Sequence, residues 1–528
     1  MDITTYSAER ETERSTNHYS PTNASLSTFR NGFWSLVRVF IPNLTSRRQR
    51  YARNTCPSTG LLNSPSSNTL RRRIGRILVP SFLAEDQRQE AQKIRPTDFL
   101  DGMRGYAAFA VYCCHFIMPT HPKAHMGYGG NDGIDDYWIT QLPILRLIYS
   151  GHTCVCLFFV ISGFAISLRP LELARKGSYS ALLDNMTSAI FRRPCRLYIP
   201  CFTILGITFF LSICGAFDFA FALTKHWPFP SRPLRIPAVH PTMSLQFKDF
   251  FGQVFDWADP LNRKTKHIPY GVQLWTIPVE LRCSLVSFLT IIALAKVRPY
   301  IRLVITAGIG VYFQLQRHPE ATLFLAGSIL AELHIERAEH DASNLFFRIP
   351  ESRVQKLRAT LLFLFGLFLA SYPPHGAAKA LFWGPFHWLA KLIVSDSADA
   401  DLYFYQTIAS TLLVYVANRS PSLQKLFTTQ LAVYLGKISF SLYCVHQALI
   451  NWFGYRTILL MWSFTGRDSL WEYEAGIVLT FIFQTILSIW VADIFWRLVD
   501  APSVGLTKRI ERACIGGSWA NANIEKPL

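Results

Sequence analysis

The stretch "FLDGMRGYAAFAVYCCHFIM", residues 99–118, is an apolar run with charges at one end and a histidine near the other. It is long enough to cross a bilayer as one helix, which takes about 20 residues. Arg104 and His115 are close to three turns apart, so both lie on one face of that helix, about 16 Å apart along its axis. Ionisable groups inside a membrane segment usually face a cavity and pair. The stretch therefore predicts a membrane helix with a polar face.

The composition extends this prediction to the whole chain. Half of the 528 residues are apolar (50%) and only 17% are charged, against about a quarter in soluble proteins. The net charge of +18 is typical of Lys and Arg in cytoplasmic loops. Zinc-finger spacing and basic–aromatic RNA signatures are lacking. We expect an integral membrane protein without a nucleic-acid partner.

The eleven cysteines show no CxxC pair and no regular spacing. Several, such as Cys113, Cys114 and Cys154, lie inside apolar runs, where cysteine behaves as a small hydrophobic residue. The sequence therefore predicts neither a disulfide framework nor a metal site.

Apolar windows long enough to span a membrane occur about ten times, which predicts an all-α, polytopic bundle of about ten transmembrane helices. The windows lie near residues 98–119, 144–168, 198–217, 275–295, 300–316, 321–336, 357–373, 403–418, 431–455 and 475–498. A further apolar segment, 377–394, is interrupted by Gly384 and Pro385. We expect it to be re-entrant or interfacial.

Three regions are predicted from these patterns. Residues 1–97 form a disordered basic cytoplasmic tail without a signal peptide, residues 98–508 a membrane domain, and residues 509–528 a cytoplasmic C-terminal tail. Within the first tail, the basic and apolar segments 32–44 and 71–83 suit either an anionic membrane surface or solvent. The acidic loop 121–143 and the basic loop 169–196 place both termini in the cytoplasm.

Three arginines stand together in "FRRPCRLYIP", residues 191–200, at the cytoplasmic start of the third span. Arg192, Arg193 and Arg196 form a cationic cluster, and guanidinium groups bind phosphates through their fork geometry. Ordinary positive-inside charge is the alternative interpretation.

A carboxylate and a second histidine also fall inside predicted spans. Glu280 follows Pro278 in "QLWTIPVELRCSL", and the alternative to a functional role is an ion pair with Arg282. His446 lies in "YLGKISFSLYCVHQALINWF". We expect His115, Glu280 and His446 at similar depth. Ser162-Gly163 in "LFFVISGF" predicts close helix packing rather than a serine nucleophile.

Six stretches, in order over residues 98–508, resemble motifs of the acyltransferase-3 family of multi-span membrane O-acyltransferases. These are "FLDGMRGYAAFAVYCCHF", "CLFFVISGF", "FRRPCRLYIP", "LWTIPVEL", "GKISFSLYCVHQ" and "RLVDAPSVGL". The residues in these stretches look closer to those of fungal members. The resemblance implies a bundle of about ten helices that moves an acyl group, often acetyl, from cytoplasmic acyl-CoA to a hydroxyl. Acyl-CoA is then a co-substrate and no cofactor stays bound. Some fungal members acylate secondary metabolites.

The resemblance also assigns residues. It implies that Arg104 and His115 are the first-span pair, that the arginine cluster binds the donor, and that Glu280 is the motif glutamate. Cys156 stands where the family usually has Asp, and Asp500 where it has Glu. The first departure makes acceptor analogy with bacterial members unsafe.

A hydroxyl is a poor nucleophile, so its attack on a thioester requires a base with a pKa near the working pH, such as imidazole. We expect His115 to take the proton of the acceptor hydroxyl. We expect Glu280 to orient the His115 imidazole or to balance the charge of its protonated form. Arg104 then lines the acyl path or stabilises the oxyanion. His446 is the competing base, unless Tyr443 and Gln447 merely satisfy it by hydrogen bonds.

The main alternative function is a secondary transporter of a small solute. That class predicts repeated halves with paired broken helices. The sequence has one Pro-interrupted polar span, around Pro278, and no matching partner.

Overall fold

The computed structural model describes residues 79–81, 95–130, 137–231, 235–262, 267–343, 351–394 and 400–515. Within these ranges every regular element is a helix, which confirms the predicted all-α class. The helices are α1 Asp98–Ile117, α2 Gly151–Arg175, α3 Tyr179–Ile213, α4 Asp218–Leu223, α5 Met243–Ala258, α6 Thr276–Ala293, α7 Pro299–Leu315, α8 Pro319–Ser343, α9 Arg353–Ala370, α10 Gly384–Ile393, α11 Ala400–Arg419, α12 Pro421–Phe427, α13 Gln430–Leu449, α14 Tyr455–Thr465, α15 Leu470–Phe495 and α16 Ala501–Cys514. Five-residue π-helical segments follow α13 and α15, at Ile450–Gly454 and Trp496–Asp500.

Each of the ten predicted apolar windows overlaps a helix, and these helices are α1, α2, α3, α6, α7, α8, α9, α11, α13 and α15. In the part of the chain that the structure describes, four helical segments are long and apolar enough to cross a membrane by length and composition. They are Gly151–Arg175, Tyr179–Ile213, Val272–Ala293 and Leu470–Cys514. The shorter α7 is also apolar.

Local sequence signals explain where several helices begin. Ser469 starts α15 with a capping box. The Ser469 hydroxyl accepts from the backbone N–H of Glu472, and the Glu472 carboxylate accepts from the backbone N–H of Ser469. Ser352 and Gln355 form the same arrangement at α9. Thr429 caps α13 by accepting from the backbone N–H of Ala432 at 3.2 Å. These caps satisfy backbone donors that have no partner inside the helix.

Helices α1 and α13 touch through their backbones. A Cβ atom placed on Gly105 would lie 2.4 Å from the backbone nitrogen of Gly436, and one placed on Gly436 would lie 2.3 Å from the carbonyl oxygen of Asp101. Only glycine permits this approach at either position. The contact holds α1 and α13 side by side.

The predicted close packing at Gly163 is confirmed. A Cβ on Gly163 of α2 would lie 2.1 Å from the carbonyl oxygen of Phe324 in α8, and one on Gly327 would lie 2.2 Å from that of Val160. Two facing glycines thus bring α2 and α8 into backbone contact.

A buried ion network, absent from the sequence-based predictions, joins three helices. The carboxylate of Glu332 in α8 accepts hydrogen bonds from Nη2 and Nε of Arg302 in α7, at 2.7 and 3.0 Å. It also accepts one from Nη1 of Arg175 in α2, at 2.8 Å. Arg175 also reaches Glu339 at 2.6 Å. Arg302 and Glu332 are only 4% and 2% exposed. The charges are fully paired, as buried charges need to be.

Most of the predicted N-terminal tail, including segment 32–44 and most of 71–83, lies outside the described residues. Within the tail, Ser81 is buried, and its backbone N–H donates to Asp493 of α15 at 3.0 Å. At the other end α16 continues to Cys514, and residues 516–528 lie outside the described residues. Segment 377–394 forms a turn followed by the ten-residue α10.

Candidate active site

Two histidines from parallel helices meet in the interior. The Nδ1 atom of His115 in α1 lies 2.7 Å from the Nε2 atom of His446 in α13. The two rings are nearly parallel, at 11°, with centroids 5.0 Å apart. His446 is fully buried, whereas His115 keeps partial exposure. The two imidazoles are therefore joined by a direct hydrogen bond, and His115 is the accessible one.

The hydrogen bonds fix which nitrogen carries each proton when both rings are neutral. The Nδ1 atom of His446 lies 2.8 Å from the carbonyl oxygen of Leu442, which can only accept, so His446 donates from Nδ1. Its Nε2 atom then has the lone pair and accepts from the Nδ1–H of His115. A neutral imidazole has one donor and one acceptor. The Nε2 atom of His115 is thereby left with a free lone pair.

The neighbours expected to satisfy His446 have other partners. The Tyr443 hydroxyl donates to the backbone oxygen of Gln273 and is 2.7 Å from the Thr276 hydroxyl. The Gln447 amide donates to Asn451 at 2.9 Å. Neither side chain takes the place of His115 as the partner of the buried imidazole.

Gln273 supports the turn of α13 that precedes His446. Its amide donates to the carbonyl oxygen of Cys444 at 2.9 Å, and its side chain is 4% exposed. Sequence reasoning did not assign it a role, although it is the first residue of the quoted stretch that contains Glu280. A glutamine next to a proline-containing polar span was the available signal.

Glu280 of α6 pairs with Arg193 of α3. The Oε1 atom of Glu280 is 2.8 Å from Nη2 of Arg193 and 3.0 Å from the Ser162 hydroxyl. The Nε atom of Arg193 also donates to Ser284, at 3.0 Å. Arg282, the partner considered from the sequence, instead donates to a glutamate in α8, Glu320, at 3.2 Å.

The structure corrects the expected depth of Glu280. Gly151, at the start of α2, packs at the level of Cys114, next to His115. Ser162 of the same helix contacts Glu280, and these two positions are about 16 Å apart along α2. Glu280 therefore lies toward the Arg104 end, and the partner of His115 is His446. A sequence window gives helix position to within a turn or two, which is too coarse to match depths between helices.

The three clustered arginines differ in their partners. Arg193 is neutralised by Glu280, and the Nε atom of Arg192 lies 3.5 Å from Glu511 of α16. Among the described residues, Arg196 has no hydrogen-bond or ion-pair partner, and its side chain is exposed. Of the cluster, Arg196 has the charge that is available to an external anion.

Arg104 lies close enough to Arg196 for the two charges to act on each other. Its Nη1 atom is 3.4 Å from Asp101, and its side chain is 33% exposed. Asp500, at the end of the second π-helical segment, also acts electrostatically on Arg196. Two partly accessible guanidinium groups thus stand at one end of the polar face of α1, with the histidine pair at the other.

Among the described residues, no group of three or more His, Cys, Asp or Glu side chains could hold a metal ion. The arrangement provides a free imidazole nitrogen, which can accept a proton from a hydroxyl, and a separate cationic patch, which suits phosphate. A donor with phosphates at one end and a reactive group at the other would fit this layout.

Comparison with known proteins identifies one family and several fungal relatives that are similar to this chain. The model of a family described as an acyltransferase domain, acyltransferase-3, matches residues 97–497. The chain is 30% identical over 485 residues to the O-acetyltransferase PaAT-1 of Phomopsis amygdali, covering 88% of this chain and 92% of the relative.

Two further fungal relatives are more distant. The acyltransferase clz18 of Cochliobolus lunatus is 25% identical, covering 81% of this chain and 97% of the relative. The acyltransferase R4 of a Phoma species is 23% identical, with 79% and 96% coverage. No solved structure matches the chain.

Proposed function

Because the chain belongs to the acyltransferase-3 family and is an acyltransferase, we propose that it transfers an acyl group from acyl-CoA to a hydroxyl. The acyl group is acetyl in this proposal, because the similar protein PaAT-1 is named an O-acetyltransferase. The acceptor is a small molecule, such as a fungal secondary metabolite, or a hydroxyl of a lipid or glycan. The observation that carries the proposal is the His115–His446 hydrogen bond, which leaves the Nε2 atom of His115 free.

His115 acts as the general base. Its Nε2 atom takes the proton of the acceptor hydroxyl while the oxygen attacks the thioester carbonyl carbon. The carbon–sulfur bond then breaks, and the imidazolium returns its proton to the departing thiolate, giving the ester and free CoA. His446 holds the ring of His115 in the tautomer that this step requires.

The donor phosphates bind at the opposite end of α1. Arg196 and Arg104 provide accessible positive charge there, whereas Arg193 and Arg192 mainly hold Glu280 and Glu511. Glu280 therefore organises the donor end and does not orient His115. The extended pantetheine arm of CoA is the part that spans the distance between the two ends, about 16 Å along α1.

The domain crosses the membrane about ten times, with both termini in the cytoplasm. This topology is supported by the helix that overlaps every predicted window and by the basic residues of 169–196. These residues, predicted as a loop, form the end of α2 and the start of α3. The arginine end of the site then faces the cytoplasm, where acyl-CoA is made available. The histidine end lies deeper, toward the opposite side.

The proposal is tested by incubating membranes containing the full chain with labelled acetyl-CoA and a panel of hydroxyl compounds extracted from the producing cells. We expect a labelled ester and stoichiometric free CoA. Solute uptake into vesicles without consumption of acetyl-CoA would contradict the proposal and favour the transporter alternative.

A further inference from the structure

Helix α16 lies along the first half of α3, with the two helices running in opposite directions. Asp500, directly before α16, acts electrostatically on Arg196 of α3. Near the end of α16, the Glu511 carboxylate accepts from the Ser188 hydroxyl and lies 3.5 Å from Nε of Arg192. Ser188 and Arg192 precede Arg196 in α3. Helix α16 therefore leads from Arg196 toward the start of α3, away from the histidine pair.

The charged side chains of α16 differ in what they face. Glu511 is the single carboxylate of the helix, and it is turned toward α3 with 13% of its side chain exposed. Lys508, Arg509 and Arg512 are exposed, and none of them has a hydrogen-bond or ion-pair partner in the part of the chain that the structure describes. The exposed surface of α16 thus has three positive charges and no negative one.

The direction of each charge round the helix axis decides which of them lies beside the arginine cluster. At about 100° per residue, Lys508 is about 60° from Glu511, on the side away from the buried Thr507. Arg509 is about 160° from Glu511, and Arg512 lies between Lys508 and Arg509. Because Glu511 faces the arginines of α3, Lys508 flanks them and Arg509 is turned away.

The polar groups also have a fixed order along the axis. Lys508 lies about 12 Å beyond Asp500, which acts on Arg196. The order is therefore the histidine pair, then Arg104 and Arg196, then Lys508. Acyl-CoA has its functional groups in the same order: the thioester, the pantetheine arm, the diphosphate on the 5′ position of the ribose, and a third phosphate on the 3′ position. A donor with its thioester at His115 and its diphosphate at the arginines has its third phosphate on the Lys508 side.

We propose that Lys508 binds the 3′-phosphate of the CoA donor, so that the site selects CoA over 3′-dephospho-CoA. This inference rests on the proposed function, in which Arg196 and Arg104 bind the donor at the arginine end. The ammonium group of lysine is a compact charge on a flexible four-carbon stem, which suits a phosphate at the exposed end of a ligand. General positive charge on a cytoplasmic segment would not distinguish Lys508 from Arg509.

The inference is tested by isothermal titration calorimetry of the purified full chain in detergent, with CoA and 3′-dephospho-CoA as ligands at one ionic strength. Neither titration requires an acceptor hydroxyl. We expect the unmodified chain to bind CoA about 10-fold more tightly than 3′-dephospho-CoA, as one additional charge-assisted contact would give. Lys508→Ala should bring the two Kd values within about three-fold of each other, whereas Lys508→Arg should retain most of the difference.

Arg509→Ala is the matched control, because it removes an equal charge from the opposite side of the same helix and should keep the preference for CoA. Equal affinity of the unmodified chain for both ligands would overturn the inference and leave the donor site at the arginines intact. A preference that survives in Lys508→Ala, or that is lost equally in Arg509→Ala, would do the same. Binding of neither ligand would overturn the inference together with the donor assignment of the proposed function.

Discussion

The Nδ1 atom of His115 and the Nε2 atom of His446 are joined by a 2.7 Å hydrogen bond between two parallel helices. Each histidine stands ten residues beyond one of two glycines in backbone contact, Gly105 in α1 and Gly436 in α13. The two helices therefore keep the same phase from the glycine contact to the histidine pair. Close helix packing at one end positions the imidazoles at the other.

Gly436→Ala is expected to separate α1 from α13, because the new Cβ would lie 2.3 Å from a backbone oxygen that cannot move aside. We expect a loss of about 2 kcal/mol of stability, measured as a lower melting temperature of the detergent-solubilised chain, together with reduced acetyl transfer. The matched control is Gly505→Ala in α16, where an added Cβ meets nothing within 4 Å. Equal melting temperatures for the two variants would contradict the proposed role of this contact.

His446→Ala removes the acceptor that fixes the tautomer of His115. We expect kcat to fall by about 10- to 100-fold with little change in the KM for acetyl-CoA, as for other groups that orient a catalytic residue. His446→Gln keeps an oxygen that can accept from the Nδ1–H of His115 and should recover part of the rate. Equal rates for the two variants would contradict the proposed role of His446 as the hydrogen-bond acceptor of His115.

The Arg193–Glu280 pair is expected to be structural. Either Arg193→Ala or Glu280→Ala leaves a partly buried charge without its partner, which costs about 3 kcal/mol for a buried pair. The double variant should be more stable than the sum of the single changes predicts. A thermal-unfolding double-mutant cycle measures this coupling energy, and a value near zero would argue against the pair.

Arg196→Ala should weaken donor binding, because Arg196 has the unpaired charge of its cluster among the described residues. Hydrogen bonds to charged groups contribute about 1.5–3 kcal/mol, so we expect the KM for acetyl-CoA to rise about 10- to 100-fold. Arg192→Ala is the matched control, because its guanidinium already lies near Glu511. Initial rates over a range of acetyl-CoA concentrations separate the two. A larger effect at Arg192 would reverse the assignment.

The sequence predicted much of the fold, because span length and apolar composition are local properties of a chain. It identified His115, His446, Glu280 and the arginine cluster as ionisable groups inside or beside predicted spans. It did not predict which of these groups touch. The contacts of Glu280 with Arg193 and of His115 with His446 depend on how separate helices are aligned along their axes, which periodicity within one helix does not encode.

Helix α5 was missed for a related reason. Its sixteen residues carry five charged or amide side chains besides the phenylalanines, so no window in the segment is apolar enough to predict a membrane span. The buried Arg302–Glu332 pair was missed because its partners lie in different helices.

The central claim, that His115 is the base, is tested most directly by the rate of acetyl transfer in purified His115→Ala with and without added imidazole. Loss of a general base typically lowers the rate by about 10²- to 10⁴-fold. We predict a loss in this range and partial recovery with imidazole, which enters the space left by the missing ring. A variant that transfers acetyl within a few-fold of the unmodified chain would contradict the account.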